Sequence, residues 1–89
     1  MSVHHNIAAQ RFEREVDGLM CVADYRLSPS VMHITHTEVP PALAGRGIAA
    51  ELVTAALAYA RESNLKIDPV CSYVRSFMQR HPETHCLLA

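Results

Sequence analysis

Hydrophobic positions change their spacing along this chain, and the change marks the elements. From residue 7 to residue 39 they fall in three runs of roughly alternating character, separated by turn signals. The first run, 7–16, carries Phe12 and Val16 amid charge and predicts a strand with one wet face. Asp17-Gly18 is a strong turn pair. In the second run, 19–27, Leu19, Cys21, Ala23, Tyr25 and Leu27 share one face at period two. Ser28-Pro29-Ser30 makes the next turn, and 31–39 is a third extended run rich in β-branched residues (Val31, Ile34, Thr35, Thr37, Val39). Turns this short predict an antiparallel meander. Pro40-Pro41 ends the ladder, because neither residue can donate a backbone hydrogen bond.

From Gly47 the period becomes helical. Ile48, Leu52, Ala55, Ala56, Tyr59 and Ser63 fall on one side of a helix, alanine is abundant, and Asn64 is a stop signal. Residues 65–70 form a short fourth strand, parallel to the third if the helix is a crossover. Ser72 is placed to cap a second helix over 73–80, which Pro82 closes, with a loose tail beyond. The order βββ-α-β-α predicts an α+β fold, a mixed sheet with helices packed against it. With 89 residues the expectation is one domain, 1–89, with an ordered core of about 6–82. A chain of this size buries only about two-thirds of its unfolded surface, which leaves no material for a large enclosed chamber.

Composition narrows the partners. Eight basic and nine acidic residues give a net charge of -1, no footprint for duplex nucleic acid or an anionic membrane. No apolar run reaches the roughly 20 residues of a membrane span, and Met1 to Gln10 hold no apolar signal-peptide core. Three cysteines (Cys21, Cys71, Cys86) are an odd number, so free thiols in a reducing cytosol are expected. His4-His5 and the group His81, His85 and Cys86 have only vague ligand spacing, and no metal site is expected. An edge strand near 7–13 could pair with a second copy, but its charges oppose this, so a monomer or weak dimer is expected.

The loop Ala44-Gly45-Arg46-Gly47-Ile48-Ala49 carries the first chemical signal. Two glycines allow a tight turn and a close backbone approach. The amides that open the following helix lack intrahelical acceptors and lie at the positive end of its dipole, which suits a pyrophosphate. Arg46 adds a positive charge. The spacing alone also fits a mere tight connection, and Gly45-x-Gly47-x-x-Ala50 satisfies the dinucleotide fingerprint, with Asp68 where a ribose-binding acid belongs. Against a dinucleotide fold, the preceding strand holds His33, Thr35, His36 and Glu38 where a doubly buried apolar run is needed. Only one strand follows the helix.

Taken together, His36-Thr37-Glu38-Val39-Pro40-Pro41 and Gly45-Arg46-Gly47-Ile48-Ala49 resemble the signature segment of the GCN5-related N-acetyltransferases. Pro69-Val70-Cys71-Ser72-Tyr73-Val74 with Arg80-His81-Pro82 is similar to a second signature, found in a minimal subgroup about as long as this chain. The segments Phe12-Glu13 and Asp24-Tyr25-Arg26 also fit, so the resemblance spans roughly 6–82. It implies a sheet whose third and fourth strands splay apart to admit the acyl-pantetheine arm of acetyl-coenzyme A. The backbone of Thr37, Glu38 and Val39 would pair with the pantetheine amides. The amides of Arg46, Gly47, Ile48, Ala49 and Ala50 would bind the pyrophosphate, and Arg80 and His81 would lie near the nucleotide. The family motif Q/R-x-x-G-x-G/A has Ala44 at its first position here, which removes a polar side chain but leaves the backbone cradle. The further strands that build an acceptor site in full-length members are lacking.

Acetyl transfer needs a base for the incoming ammonium, a proton for the departing thiolate and a donor to the oxyanion. Cys71, where a strand gives way to a helix, is the leading candidate side chain, either beside the thioester or as a nucleophile that takes the acetyl group first; its bland alternative is a small buried hydrophobe. His36 and Glu38 share a strand face and are candidate bases, with solvated strand-end residues as the alternative. His33 is expected on the opposite face, and Tyr73 is a candidate proton donor or simple packing. The leading expectation is an acetyltransferase acting from acetyl-coenzyme A on an unidentified amine. The alternative is an acyl-coenzyme A-binding module or sensor without efficient turnover.

Overall fold

The computed structural model describes residues 3–89. Five strands form one sheet in chain order: β1 (His4–Asn6), β2 (Arg11–Val16), β3 (Leu19–Ser28), β4 (Val31–Glu38) and β5 (Lys66–Pro69). The first four are antiparallel neighbours, and β5 lies parallel to β4. Helix α1 (Ile48–Glu62) is the crossover between them, and α2 (Ser72–Gln79) follows β5. The expected meander, crossover and parallel strand are present.

The register sorts the sheet into two faces. Phe12, Ala23 and Thr37 form one cross-strand row, and Leu27, Met32 and Ile67 another. Most of these side chains are buried beneath the helices. From α1, Ile48, Leu52, Ala56 and Ala60 recur every four residues, and with Val53 and Leu57 they make the stripe that meets the sheet. Val74, Phe77 and Met78 of α2 join the same core. On the other face the rows are polar apart from the buried Val22: Glu13, Val22 and Glu38; Arg11, Asp24 and His36; Arg26, His33 and Asp68.

Four expectations need correction. The first run, 7–16, is a turn and then one strand, β2, and a further short strand, β1, precedes it. Asn6 Oδ1 accepts the Ala9 amide at 3.1 Å and Gln10 takes a left-handed φ of 56°, so the chain turns back at 7–10. β2 is therefore interior and β1 is the edge. His5 pins β1: its ring stacks on Phe12 at 4.1 Å, and its Nε2 lies 2.6 Å from the Tyr25 hydroxyl, so this half-buried imidazole packs onto the aromatic edge of the core. Second, the shared face of Leu19, Cys21, Ala23, Tyr25 and Leu27 is buried only at Cys21, Ala23 and Tyr25, and Leu19 and Leu27 are exposed. Third, Cys71, not Ser72, is the N-cap of α2. Fourth, the tail is packed. Residues Pro82–Leu87 form a 3-10 helix with Thr84 and Leu87 buried, Leu88 bridges to Ile67, and the Ala89 amide donates to Ile67 O at 2.9 Å. The outer edge of β5 offers unpaired backbone groups, and the tail satisfies some of them.

A wedge in the sheet joined to the glycine loop

Two local features open the sheet between β4 and β5. The first is a bulge. Tyr25 faces Ile34 but Asp24 faces His36, so Thr35 is an extra residue on β4. A bulge bends its strand and shifts the alternation by one. This places His33 on the same face as His36 and Glu38, opposite to the expectation, because simple alternation ignores the extra residue. The second feature is the early end of β5. Ladder pairing stops at Ile34 and Pro69, and Pro69 has no amide to extend it. The Cys71 amide donates to Ile34 O at 2.9 Å as the last link. Beyond that link, β4 continues through residues 35–38 with no strand among the described residues on its outer side.

The wedge leads to the glycine loop. Pro41–Leu43 make one 3-10 turn that buries Leu43, and the chain then passes through Gly45 (φ 84°) to Gly47 (φ 76°). Both glycines hold left-handed backbone that other residues enter at a cost of about 1–2 kcal/mol. A Cβ at either would point into open space, so conformation, not crowding, calls for glycine here. Gly47 is the N-cap of α1, and the first helical bond runs from the Glu51 amide to Gly47 O at 3.1 Å. The amides of Ile48, Ala49 and Ala50 therefore lack intrahelical acceptors. Arg14 of β2 pairs with Glu51 and ties this end of α1 to the sheet. Val39, Leu43, Ala44, Gly45, Gly47, Ile48, Ala49 and Tyr73 line a cavity of about 250 Å³. It has the end of β4 on one side, the start of α2 on another and the loop between them.

Cys71 stands at the apex of the wedge. Its Sγ lies 3.6 Å from Thr37 Oγ1, and it is partly buried. Burial alone raises its thiol pKa, but the Val74 amide, the Thr37 hydroxyl and the Tyr73 and Thr37 amides favour the thiolate, and the net shift is downward. The side chain closes no cap hydrogen bond, so the α2 amides act on it as oriented dipoles. His36 and Glu38 project on the polar face, strongly exposed at 58% and 68%, with His36 Nε2 3.4 Å from Glu38 Oε1. Thr37 and Cys71 thus flank the free edge of β4 from the core side, and His36 and Glu38 from the other.

The remaining expected residues lie farther out. Arg46 is exposed and pairs with Asp17 in the β2–β3 turn at 3.2 Å. An exposed pair of this kind contributes about 0–1 kcal/mol and opens readily. Arg80 and His81 stand at the far end of α2 from Cys71, about 12 Å along an eight-residue helix. The His81 Nδ1–H donates to Phe77 O at 2.7 Å, and its ring stacks on Phe77 at 4.1 Å. His81 lines a groove of about 310 Å³ with Thr54, Leu57 and Arg61, and this groove shares no lining residue with the loop cavity. The His85 Nε2–H donates to Met78 O at 2.9 Å, so both imidazoles cap the end of α2. Among the described residues no group of three or more His, Cys, Asp or Glu side chains is arranged to hold a metal. No helix of the described chain is long and apolar enough to cross a membrane.

The Thr37 backbone was expected at the site, but the contact of its hydroxyl with Cys71 and the Thr35 bulge were not. A threonine in a β-branched run carries no signal of its own, and a bulge is visible only once the register is known.

Comparison with known proteins agrees with this geometry. Residues 11–87 match the family model described as GCN5-related N-acetyl-transferase. The chain belongs to the GCN5-related N-acetyltransferases. It is 40% identical over 86 residues to Protein NATD1 of Gallus gallus, covering 92% of this chain and 77% of that protein. Against Protein NATD1 of Mus musculus the identity is 40% over 84 residues, covering 90% and 76%. A Staphylococcus aureus protein described as GCN5-like, solved by NMR in solution, superposes with a TM-score of 0.77. That match covers 99% of this chain and 87% of the other at 23% identity, and it speaks for the fold alone.

Proposed function

We propose that this member of the acetyltransferase family moves an acetyl group from acetyl-coenzyme A to an amine. One observation carries the reading: the free outer edge of β4 runs directly into a cavity walled by the glycine loop and the start of α1. An acyl-pantetheine arm fits such an edge as an added strand, with its amides paired to the backbone of Thr37, Glu38 and Val39. The pyrophosphate is then held by the amides of Arg46, Gly47, Ile48, Ala49 and Ala50, with the Arg46 guanidinium turned from Asp17 to the phosphates. Arg80 and His81 take the nucleotide end.

In this pose the thioester reaches the apex of the wedge. The His36 imidazole, oriented by Glu38, removes a proton from the incoming ammonium on the polar face. The amine nitrogen adds to the acetyl carbon, the C–S bond breaks, the nitrogen gives up its second proton to solvent, and coenzyme A leaves as a thiolate that takes a proton from solvent. Cys71 has a second route open to it. Its thiolate can accept the acetyl group and pass it on, since its surroundings favour the ionised form.

The exposure of His36 and Glu38 favours one other reading, an acyl-coenzyme A-binding module with slow turnover, because nothing on that face encloses an acceptor. A transfer assay with a panel of polyamines and basic peptides separates the two. Acetyl transfer that falls by about 10²-fold or more in His36→Ala or Cys71→Ala, with coenzyme A binding retained, supports the enzyme. Binding without transfer to any amine supports the module.

A further inference from the structure

The polar face of the sheet holds a second constellation away from the wedge. Ser28 ends β3, His33 lies on β4 and Asp68 on β5. His33 and Asp68 are direct register partners, and Ser28 is diagonal to His33 across the β3–β4 turn. Ser28 Oγ lies 2.8 Å from His33 Nε2, and His33 Nδ1 lies 2.8 Å from Asp68 Oδ2. An ionised Asp68 only accepts hydrogen bonds, so His33 Nδ1 carries the proton. Nε2 is left as an acceptor, and the Ser28 hydroxyl donates to it. The other acceptor near Ser28 Oγ, Val31 O, lies at 3.5 Å and is a weak competitor. The hydroxyl, the imidazole and the carboxylate are thus in the order and at the spacing of a nucleophile, its base and the group that orients the base.

We propose that Ser28, His33 and Asp68 form a second nucleophilic site, one that hydrolyses small activated carboxylic esters through an acyl-Ser28 intermediate. Ser28 Oγ adds to the ester carbonyl carbon while His33 Nε2 takes the hydroxyl proton. Arg26, the register partner of His33 on the same face, donates from Nη1 to Tyr25 O at 3.0 Å, and its remaining guanidinium donors can turn to the developing oxyanion. The C–O bond to the alcohol breaks, and the alcohol leaves with the proton from His33. Water then adds to the acyl carbon and gives a proton to His33, the Ser28 ester bond breaks, and Ser28 recovers its proton. The sum is ester plus water to acid plus alcohol. Ser28 and His33 are the catalytic residues, and Asp68 is a positioning residue that fixes the imidazole tautomer. The side chains of His33 and Asp68 are 33% and 46% exposed, so the site admits substrate directly and excludes little water. That restricts it to activated esters. The site uses no residue of the wedge or the glycine loop, so it stands or falls independently of coenzyme A binding.

The test treats the intact chain with a fluorophosphonate ester and maps the adduct by peptide mass spectrometry. Attack by Ser28 forms the O–P bond, fluoride leaves, and the hydroxyl proton passes to His33. The expected result is labelling of Ser28 ahead of Ser30, Ser63, Ser72 and Ser76. His33→Gln should slow it by about 10²-fold, the usual contribution of a positioned base. Asp68→Asn should slow it as well, and Asp68→Glu should restore part of the rate, which a merely structural carboxylate would not do. Should His33→Gln fail to fold by circular dichroism, Ser28→Ala, which loses one hydroxyl, is read instead. With thiols blocked, it should abolish most turnover of 4-nitrophenyl acetate. An unlabelled Ser28, a labelling rate unchanged in folded His33→Gln, or ester turnover unchanged in Ser28→Ala would each overturn the proposal.

Discussion

At the scale of the residue, Cys71 stands at the apex of the wedge, against Thr37. The sequence placed it at a strand-to-helix junction, and that much was legible from Pro69 and the change of period. Its contact with Thr37 was not, because the two are far apart in the chain and meet only through the β4–β5 register. The same holds for His33, whose face was misjudged because the Thr35 bulge breaks simple alternation. The pKa direction at Cys71 yields a prediction. Hydrogen-bond donors from α2 and Thr37 favour the anion, so the folded-state pKa falls below the ordinary thiol value, and thiolate is present at lower pH than in an unfolded chain. Alkylation of Cys71 by iodoacetamide, followed by site-resolved mass spectrometry from pH 6 to 10, should reach half its plateau at lower pH than free glutathione does. Thr37→Val should move that midpoint upward. A Cys71 midpoint at or above that of glutathione would mean that burial dominates.

At the scale of the element, the hydrophobic period found α1 and the interior of β3 well, because buried stripes are what periodicity measures. It failed at ends and edges. The 7–10 turn, the N-cap at Cys71 and the packed tail are all decided by where backbone groups find partners. The tail is the clearest case. Pro82 reads as a helix stop, yet residues beyond it dock on the open edge of β5. Leu87 is buried there, so Leu87→Ala should cost about 2–5 kcal/mol, read by urea denaturation. A loss under about 0.5 kcal/mol, the range of surface substitutions, would mean that the tail contributes little to the fold.

For the whole molecule, one layer of helices covers one face of the sheet, and the other face carries three polar rows. The resemblance named the family before any geometry was known, and the match over residues 11–87 bears it out. Acceptor identity was not legible, because the residues that flank the wedge on the polar face, His36 and Glu38, are open to solvent and present no enclosing shape. Binding of the donor is the central claim, and a backbone-amide NMR titration with acetyl-coenzyme A tests it most directly, with NAD run in parallel. The account predicts saturable shifts at Thr37 to Val39 and at Gly45 to Ala50, with acetyl-coenzyme A and not with NAD. Absence of shifts in both segments at millimolar ligand, or shifts confined to the separate groove around Thr54 and Arg61, would contradict it.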